Sequence, residues 1–207
     1  MARNLVTVAQ YVQGDLGVAS WDVDIDGNVN LNPGIGIERG SGPASSISVA
    51  TNLSTYRLAT AVRDGGGNLK VIAWDINDSG RVTRLGDDGA GAVSLVSATA
   101  LSDFTIATAV RDGGGNLKVI AWNVDGDGNV TRRGYDGAGA VSLVSAATVW
   151  HSSAEFPDTD VVTTVRDGGG NLKVIAWNVD GDGNVTRRGD FVGGAVDLLD
   201  SARLVLA

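Results

Sequence analysis

Three copies of one polar, glycine-rich segment are the residues of this sequence best suited to chemistry. Arg-Asp-Gly-Gly-Gly-Asn occupies residues 63–68, 111–116 and 166–171. Asp, Asn and Arg side chains form directional hydrogen bonds to hydroxyl groups, and glycine lets a ligand approach the backbone. We therefore predict equivalent ligand sites at Arg63, Asp64, Asn68, Arg111, Asp112, Asn116, Arg166, Asp167 and Asn171. The alternative interpretation is structural, with Asp and Arg supporting a turn and glycine taking its positive-φ positions.

A second motif alternates aspartates ahead of a glycine, at Asp22, Asp24, Asp26 and Gly27. Oxygen-bearing side chains at alternate positions suit Ca²⁺, which takes about six to eight oxygen ligands. Related segments follow at 75–80, 123–128 and 178–183, and none of the four carries the glutamate that ends a typical calcium loop. An Asp-Gly hairpin turn explains the same residues without a metal. Calcium at Asp22, Asp24 and Asp26 is thus a prediction, and no other cofactor is expected.

The inventory of reactive side chains argues against an enzyme. The chain has no cysteine, one histidine (His151) and two glutamates (Glu38 and Glu155). It also lacks a glycine-rich phosphate loop between a strand and a helix, and no Asp pair stands out as an acid and base. We expect a non-catalytic protein.

The spacing of the tryptophans predicts the architecture that positions these motifs. Trp21, Trp74, Trp122 and Trp177 mark four units separated by 53, 48 and 55 residues. Within each unit, short β-branched runs punctuated by Gly, Asn and Asp predict four antiparallel strands. Four such strands per repeat of roughly 50 residues are typical of a β-propeller blade.

We therefore predict an all-β fold, a four-bladed β-propeller in one domain spanning 1–207. Its repeat units are approximately 1–45 plus 193–207, 46–91, 92–139 and 140–192. The repeated tryptophans should lie in the core between blades, because the run Leu-Lys-Val-Ile-Ala-Trp is apolar at nearly every position. The Arg-Asp-Gly-Gly-Gly-Asn loops and the glycine-rich linkers 86–91, 134–139 and 189–194 should share one face of the ring.

The two ends of the chain lack complementary strands. Alignment of Trp21 on Trp74 starts the chain at the second strand of a unit, whereas Ala195–Leu199 aligns with the first strand of a unit. This deficit predicts a monomer whose ring is closed by the C-terminal strand pairing with the N-terminal blade. A dimer in which two chains share a larger ring is the alternative.

Composition excludes several classes of partner. With 24 acidic and 16 basic residues the net charge is −8, so nucleic acid and anionic membranes, which need basic surfaces, are not expected partners. No apolar stretch approaches the roughly 20 residues that span a bilayer, and no charged-then-apolar leader opens the chain. We expect a soluble protein without membrane insertion. Because cysteine is absent, the compartment stays undetermined.

In repeat architecture the chain resembles tachylectin-type and bacterial propeller lectins. The resemblance covers the whole chain at the level of fold and includes no specific sugar-binding motif, so no residues are carried over. It implies a multivalent carbohydrate-binding module whose partner is a glycan, with avidity gains of about 10²–10⁴ from repeated weak sites. The alternative is a structural or protein-interaction propeller without a small ligand, arising by recent duplication or engineered symmetrisation.

Overall fold

A computed structural model of the chain describes residues 3–31, 38–53, 57–149 and 159–199. These residues form an antiparallel all-β structure of thirteen strands. The strands are β1 (Arg3–Gln10), β2 (Asp15–Val23), β3 (Val29–Leu31), β4 (Glu38–Leu53), β5 (Arg57–Asp64), β6 (Asn68–Ile76), β7 (Val82–Ser102), β8 (Thr105–Asp112), β9 (Asn116–Val124), β10 (Val130–Val149), β11 (Thr159–Asp167), β12 (Asn171–Val179) and β13 (Val185–Ala195). In the described residues, no helix is long and apolar enough to cross a membrane.

Three long strands divide the structure into four sheets and also join them. The first parts of β4, β7 and β10 pair with one sheet and their second parts pair with the next. Sheet I comprises β1, β2, β3 and the start of β4, and sheet II comprises the end of β4, β5, β6 and the start of β7. Sheet III comprises the end of β7, β8, β9 and the start of β10. Sheet IV comprises the end of β10 with β11, β12 and β13. Each of the four sheets contains one of the tryptophans Trp21, Trp74, Trp122 and Trp177.

The glycine-rich segments predicted as linkers are strand instead. Within β7, Asp88 and Gly89 pair with Val71 and Lys70 of β6. Residues 135–138 pair with β9 in the same way, and 189–192 pair with β12. Glycine does not end the strand here because each of these segments has a neighbouring strand that satisfies its backbone hydrogen bonds.

Each sheet packs its face against the next sheet, and the core lies in these junctions. Separate apolar clusters join sheet I to II, II to III and III to IV. Trp74, Trp122 and Trp177 are each 0% exposed and lie in these three clusters, which confirms the prediction of a core role. Trp21 of sheet I is only half-buried.

The described residues do not show the closed ring that the sequence predicts. The path of paired strands runs from β1 at one end to β13 at the other, and β1 pairs with β2 alone. Ala195 pairs with Asn171, and the backbone N–H of Val196 donates to the carbonyl of Gly170 at 3.0 Å. The segment Ala195–Leu199 therefore begins at sheet IV and is not paired with β1. Residues 200–207 lie outside the described residues.

Candidate functional site

The predicted ligand aspartates hold their own turns. In the first loop, Oδ1 of Asp64 accepts the backbone N–H groups of Gly66 and Asn68, both at 2.9 Å. Asp112 and Asp167 make the same pair of bonds in their loops. The backbone hydrogen bond from Asn171 lowers the pKa of Asp167, against the opposing effect of desolvation, so this carboxylate is charged at neutral pH. The side chain of Asn171 also hydrogen-bonds to Asp167 and contributes to its lowered pKa.

The arginines of the same loops fasten one sheet to the next. Nε of Arg63 donates to the carbonyl of Val93 at 2.8 Å, and Nε of Arg111 donates to the carbonyl of Val141 at 2.7 Å. Val93 and Val141 stand where the long strands pass into the following sheet. Arg166 departs from this pattern, because its Nε is buried without a hydrogen-bond partner among the described residues.

A cleft of about 440 Å³ lies at the loop end of the junction between sheets III and IV. We call it the loop cleft. It brings Arg111 together with Arg166 and Asp167, and glycines of both loops expose backbone at its wall. Asp112, Asn116 and Asn171 do not line it. The predicted binding role of all nine loop residues stays a prediction, although the Asp and Arg contacts fit the structural alternative.

The aspartate-rich turns show the hydrogen bonds of hairpins. Oδ1 of Asp24 accepts the backbone N–H groups of Asp26 at 2.9 Å and Asn28 at 2.8 Å, while Oδ2 accepts the Asn28 side-chain amide at 2.8 Å. The Asn28 amide is the main cause of the lowered pKa of Asp24. Across the described part of the chain, no three or more His, Cys, Asp or Glu side chains gather as metal ligands. The hairpin interpretation accounts for these contacts, and calcium at Asp22, Asp24 and Asp26 stays a prediction.

A second cleft, of about 300 Å³, opens at the opposite end of the same junction. We call it the turn cleft, because the β12–β13 turn forms one wall. Its apolar lining comes from Leu101, Trp122 and Val179. Its polar lining comes from Ser102, Thr105, Asn123, Arg133, Asp180 and Asp182.

Two departures from the repeat explain why the turn cleft is open between sheets III and IV. In the junction between sheets II and III, the guanidinium of Arg57 donates to the carbonyls of Asp125 (2.7 Å) and Gly126. Thr105 occupies the position of Arg57 in sheet III, at the start of β8. The shorter side chain cannot reach the next turn, and the space that the arginine fills in one junction is free in the other.

Arg133 is the second departure, since sheet II has Leu85 at the matching position. The side chains of Leu85 and Arg133 each pack directly against a glycine of the next sheet. A Cβ added to Gly128 would lie 2.3 Å from Leu85, and one added to Gly183 would lie 2.6 Å from Arg133. The glycines have φ near +85° and +83°, which favours glycine independently. The guanidinium of Arg133 makes no hydrogen bond or ion pair with another described residue, so its donors are available at the cleft.

The turn cleft combines an apolar floor with hydrogen-bond donors and acceptors. Arg133 donates only, whereas Asn123 and Thr105 both donate and accept. Hydrogen bonds from the side chain and backbone of Asn184 lower the pKa of Asp180 and occupy both of its carboxylate oxygens. Asp180 therefore forms part of the cleft wall as a charged group whose hydrogen bonds are made within its own turn. Asp182 is exposed and offers a carboxylate. A cleft of this size and chemistry can hold a small polar molecule with apolar patches.

Sequence reasoning missed this cleft because it followed what the repeats share. The usable signal was where the copies differ, at Thr105 against Arg57 and Arg133 against Leu85. The single histidine, His151, lies outside the described residues.

Comparison with known proteins assigns no sequence family. No family model matches the chain, and no curated protein matches it at a significant level. Among solved structures, the chain shares its all-β fold with a lectin. That protein is the SapL1 lectin, in complex with alpha methyl fucoside, at a TM-score of 0.56 and 16% identity. The match covers 94% of this chain and 62% of the lectin chain, so this chain spans less than two thirds of the lectin's length. At this identity the likeness shows the fold alone.

Proposed function

We propose that this chain is a non-catalytic carbohydrate-binding module and that a sugar occupies the turn cleft between sheets III and IV. The observation that carries the proposal is the local opening of this junction, where Thr105 stands in the place of the Arg57 plug and the Arg133 guanidinium has no hydrogen-bond partner among the described residues. The departures at Thr105 and Arg133 both fall at this cleft, which favours selection for a ligand over selection for packing alone.

The chemistry of the cleft suits a sugar. A pyranose has hydroxyls that both donate and accept hydrogen bonds and C–H faces that pack on apolar surface. Thr105, Asn123 and Arg133 supply donors around the floor formed by Leu101 and Val179. The fold shared with a lectin that binds a methyl fucoside supports the same class of ligand.

The loop cleft is the second candidate site, at the other end of the same junction. It is favoured by the convergence of Arg111, Arg166 and Asp167 across two sheets. Arg63, Asp64 and Asn68, with Asn116, Asp112 and Asn171, would then form the remaining equivalent sites predicted from the sequence. Several equivalent loop sites on one chain would make binding multivalent, and avidity would then contribute most to the apparent affinity.

A glycan array, with alpha methyl fucoside included as a single-sugar probe, tests whether any carbohydrate binds. Arg133→Leu should then weaken binding of the recovered sugar by about tenfold or more, as expected for a lost charge-assisted hydrogen bond. The variant should keep the wild-type melting temperature within a few degrees, because Leu85 fills the matching position in sheet II.

A combined Asp64→Ala, Asp112→Ala and Asp167→Ala variant separates the two clefts. If the sugar occupies the turn cleft, this variant binds at the wild-type affinity while Arg133→Leu does not. Loss of binding in the aspartate variant alone, with an unchanged circular dichroism spectrum, assigns the sugar to the loops. An array that recovers nothing favours the structural or protein-interaction alternative.

A further inference from the structure

The last strand of sheet II holds an aspartate between two cations. Oδ1 of Asp87 lies 3.4 Å from Nζ of Lys70, and Oδ2 accepts a hydrogen bond from the guanidinium of Arg84. In the register of β6 and β7, Asp87 stands opposite Ile72 and Arg84 stands opposite Trp74. Because side chains alternate between the two faces of a strand, this register places the aspartate, the lysine and the arginine on one face of the sheet.

Sheet IV repeats this arrangement. Oδ2 of Asp190 lies 2.9 Å from Nζ of Lys173, and Oδ1 accepts a hydrogen bond from the guanidinium of Arg187. The hydrogen bond from Lys173 is the main cause of the lowered pKa of Asp190. A lysine and an arginine in this register therefore stabilise an anion between them.

Sheet III keeps both cations but has a tyrosine in place of the aspartate. Tyr135 occupies the register position of Asp87. The segments 86–92 and 134–140 differ at this position alone, so a single substitution removes the anion from sheet III. We call Tyr135, Lys118 and Arg132 the Tyr135 rim.

The two cations of the Tyr135 rim contact the tyrosine ring and no carboxylate of the described residues. Nζ of Lys118 lies 4.0 Å from the ring centroid, and the guanidinium carbon of Arg132 lies 5.3 Å from it. A cation–π contact leaves the N–H donors of a cation unused. Within the part of the chain that the structure describes, neither side chain donates a hydrogen bond. The rim thus presents charged donors that lack acceptors.

The acidic side chains next to the Tyr135 rim are bound to backbone. Asp88, across the junction between sheets II and III, accepts backbone N–H groups at its two carboxylate oxygens, at 2.7 and 2.8 Å. Asp136 follows Tyr135 along the strand, so its side chain lies on the other face, where it also accepts two backbone N–H groups. Lys118 and Arg132 therefore form a local excess of positive charge in a chain whose net charge is −8.

Tyr135 adds an aromatic surface to this charge. Its side chain is 54% exposed, so part of the ring meets solvent beside the two cations. Aromatic rings pack well against apolar C–H surface, which a pyranose presents together with its polar groups. An inorganic anion would use only the cations of the rim, whereas a sugar that carries a carboxylate or a sulfate would use the cations and the ring.

We infer that the Tyr135 rim binds an acidic sugar, whose carboxylate or sulfate accepts hydrogen bonds from Lys118 and Arg132 while the sugar ring packs on Tyr135. The sugar in this inference rests on the carbohydrate-binding function proposed above, and the anionic group rests on the rim itself. The rim lies on the face of sheet III that packs on sheet II, so it is separate from the turn cleft between sheets III and IV.

NMR titration of the isotope-labelled protein tests the inference. The probes are methyl glucuronide, glucose sulfated at its primary hydroxyl, and methyl glucoside as the neutral match. The backbone amides of Lys118, Arg132 and Tyr135 should shift saturably with at least one acidic sugar. The neutral match should bind about tenfold or more weakly, because it cannot form the charge-assisted hydrogen bonds. A response to the glucuronide assigns the anionic group as a carboxylate, and a response to the sulfated sugar assigns it as a sulfate.

Tyr135→Asp is the sharpest variant, because it restores the residue of sheets II and IV and supplies the anion from within the chain. It should weaken binding of the acidic sugar by about tenfold or more, and the circular dichroism spectrum should not change because two neighbouring sheets carry the same aspartate. The converse change, Asp87→Tyr, makes segment 86–92 identical to segment 134–140. It should add a second site for the acidic sugar, seen as new saturable shifts at Lys70 and Arg84.

The two proposed sugar sites fail separately. The turn cleft is judged by Arg133→Leu with the neutral sugar recovered from the array, and the Tyr135 rim is judged by Tyr135→Asp with the acidic sugar. If the rim amides do not shift with either acidic sugar, the inference is overturned. Wild-type affinity for the acidic sugar in Tyr135→Asp, or equal affinity of the wild-type chain for methyl glucoside, would overturn it as well.

Discussion

The indole Nε1–H of Trp122 donates to the hydroxyl of Thr108 on the neighbouring strand at 2.9 Å. The same pair recurs in all four sheets, with Trp21 to Thr7 at 2.8 Å, Trp74 to Thr60 at 3.0 Å and Trp177 to Thr163 at 2.8 Å. Trp74, Trp122 and Trp177, which we call the inner tryptophans, are fully buried. The threonine hydroxyl therefore accepts a hydrogen bond from an indole N–H that water cannot reach. The repeated tryptophan is thus a core residue with one polar requirement.

Thr108→Val should therefore destabilise the fold by about 1–3 kcal/mol, because it leaves a buried indole donor unpaired. The matched control is Thr7→Val, which breaks the same bond in sheet I, where Trp21 is half-exposed and water can replace the hydroxyl. Urea unfolding of the two variants measures the difference. Equal costs at both positions would contradict the burial argument.

Trp122→Ala should cost roughly 3–5 kcal/mol, the range for removing a large buried aromatic side chain. The residue lies in the cluster between sheets II and III, which the cavity would loosen. Thermal or chemical unfolding provides the measurement. Little change on Trp122→Ala together with strong acrylamide quenching of wild-type fluorescence would show that the inner tryptophans are exposed.

Asp125 should make stability depend on pH in acid. Its pKa is lowered below the ordinary value of 3.8, chiefly by hydrogen bonds from the side chain and backbone of Asn129. A lowered folded-state pKa means that the charged group contributes stability above the unfolded pKa and that this is lost as pH falls through the folded pKa. The advantage of wild type over Asp125→Asn should thus be full near neutral pH and shrink in acid below 3.8.

Asparagine is a suitable replacement for Asp125, because Asn77 makes the equivalent hydrogen bonds in the matching turn of sheet II with a neutral amide. Denaturant melts of wild type and Asp125→Asn at several pH values decide the matter. An advantage that grows as pH falls would mean that the sign of the pKa argument is wrong.

The calcium prediction for Asp22, Asp24 and Asp26 is decided by thermal stability. A bound ion raises the free energy of unfolding by RT ln(1 + [L]/Kd), so millimolar Ca²⁺ should raise the melting temperature if the site exists. Asp24→Ala should remove that gain, with Mg²⁺ as the ionic-strength control. An unchanged melting temperature would leave these residues as a hairpin turn.

Much of the fold could be predicted from the sequence because each repeat contains local patterns of apolar and turn-forming residues that indicate strands. The run Leu69 to Trp74 and its copies predicted buried strands, and the structure places all three inner tryptophans in sheet junctions. Glycine misled the analysis at residues 86–91, since a neighbouring strand, not the local sequence, decides whether a glycine-rich segment pairs. Closure of the ring was not predictable for a similar reason, because it depends on contacts between sheets that are distant in the sequence.

The candidate site was only partly predictable. The loop residues Asp64 and Arg63 were chosen for their chemistry, and the structure gives both of them contacts within the fold. The turn cleft depends on an arginine plug in one junction and its loss in the next, a contact between residues 68 positions apart. No pattern within one repeat contains that information.

The number of sugars bound per chain tests the central claim most directly. If the turn cleft is the site, Thr105→Arg should plug it as Arg57 plugs the preceding junction, and calorimetric titration with the sugar recovered from the array should show binding lost. The triple variant Arg57→Thr, Asp75→Asn and Leu85→Arg gives the junction of sheets II and III the cleft residues of the next junction, so it should add one further site of similar affinity. Undiminished binding by Thr105→Arg, together with an unchanged number of sites in the triple variant, would contradict the account.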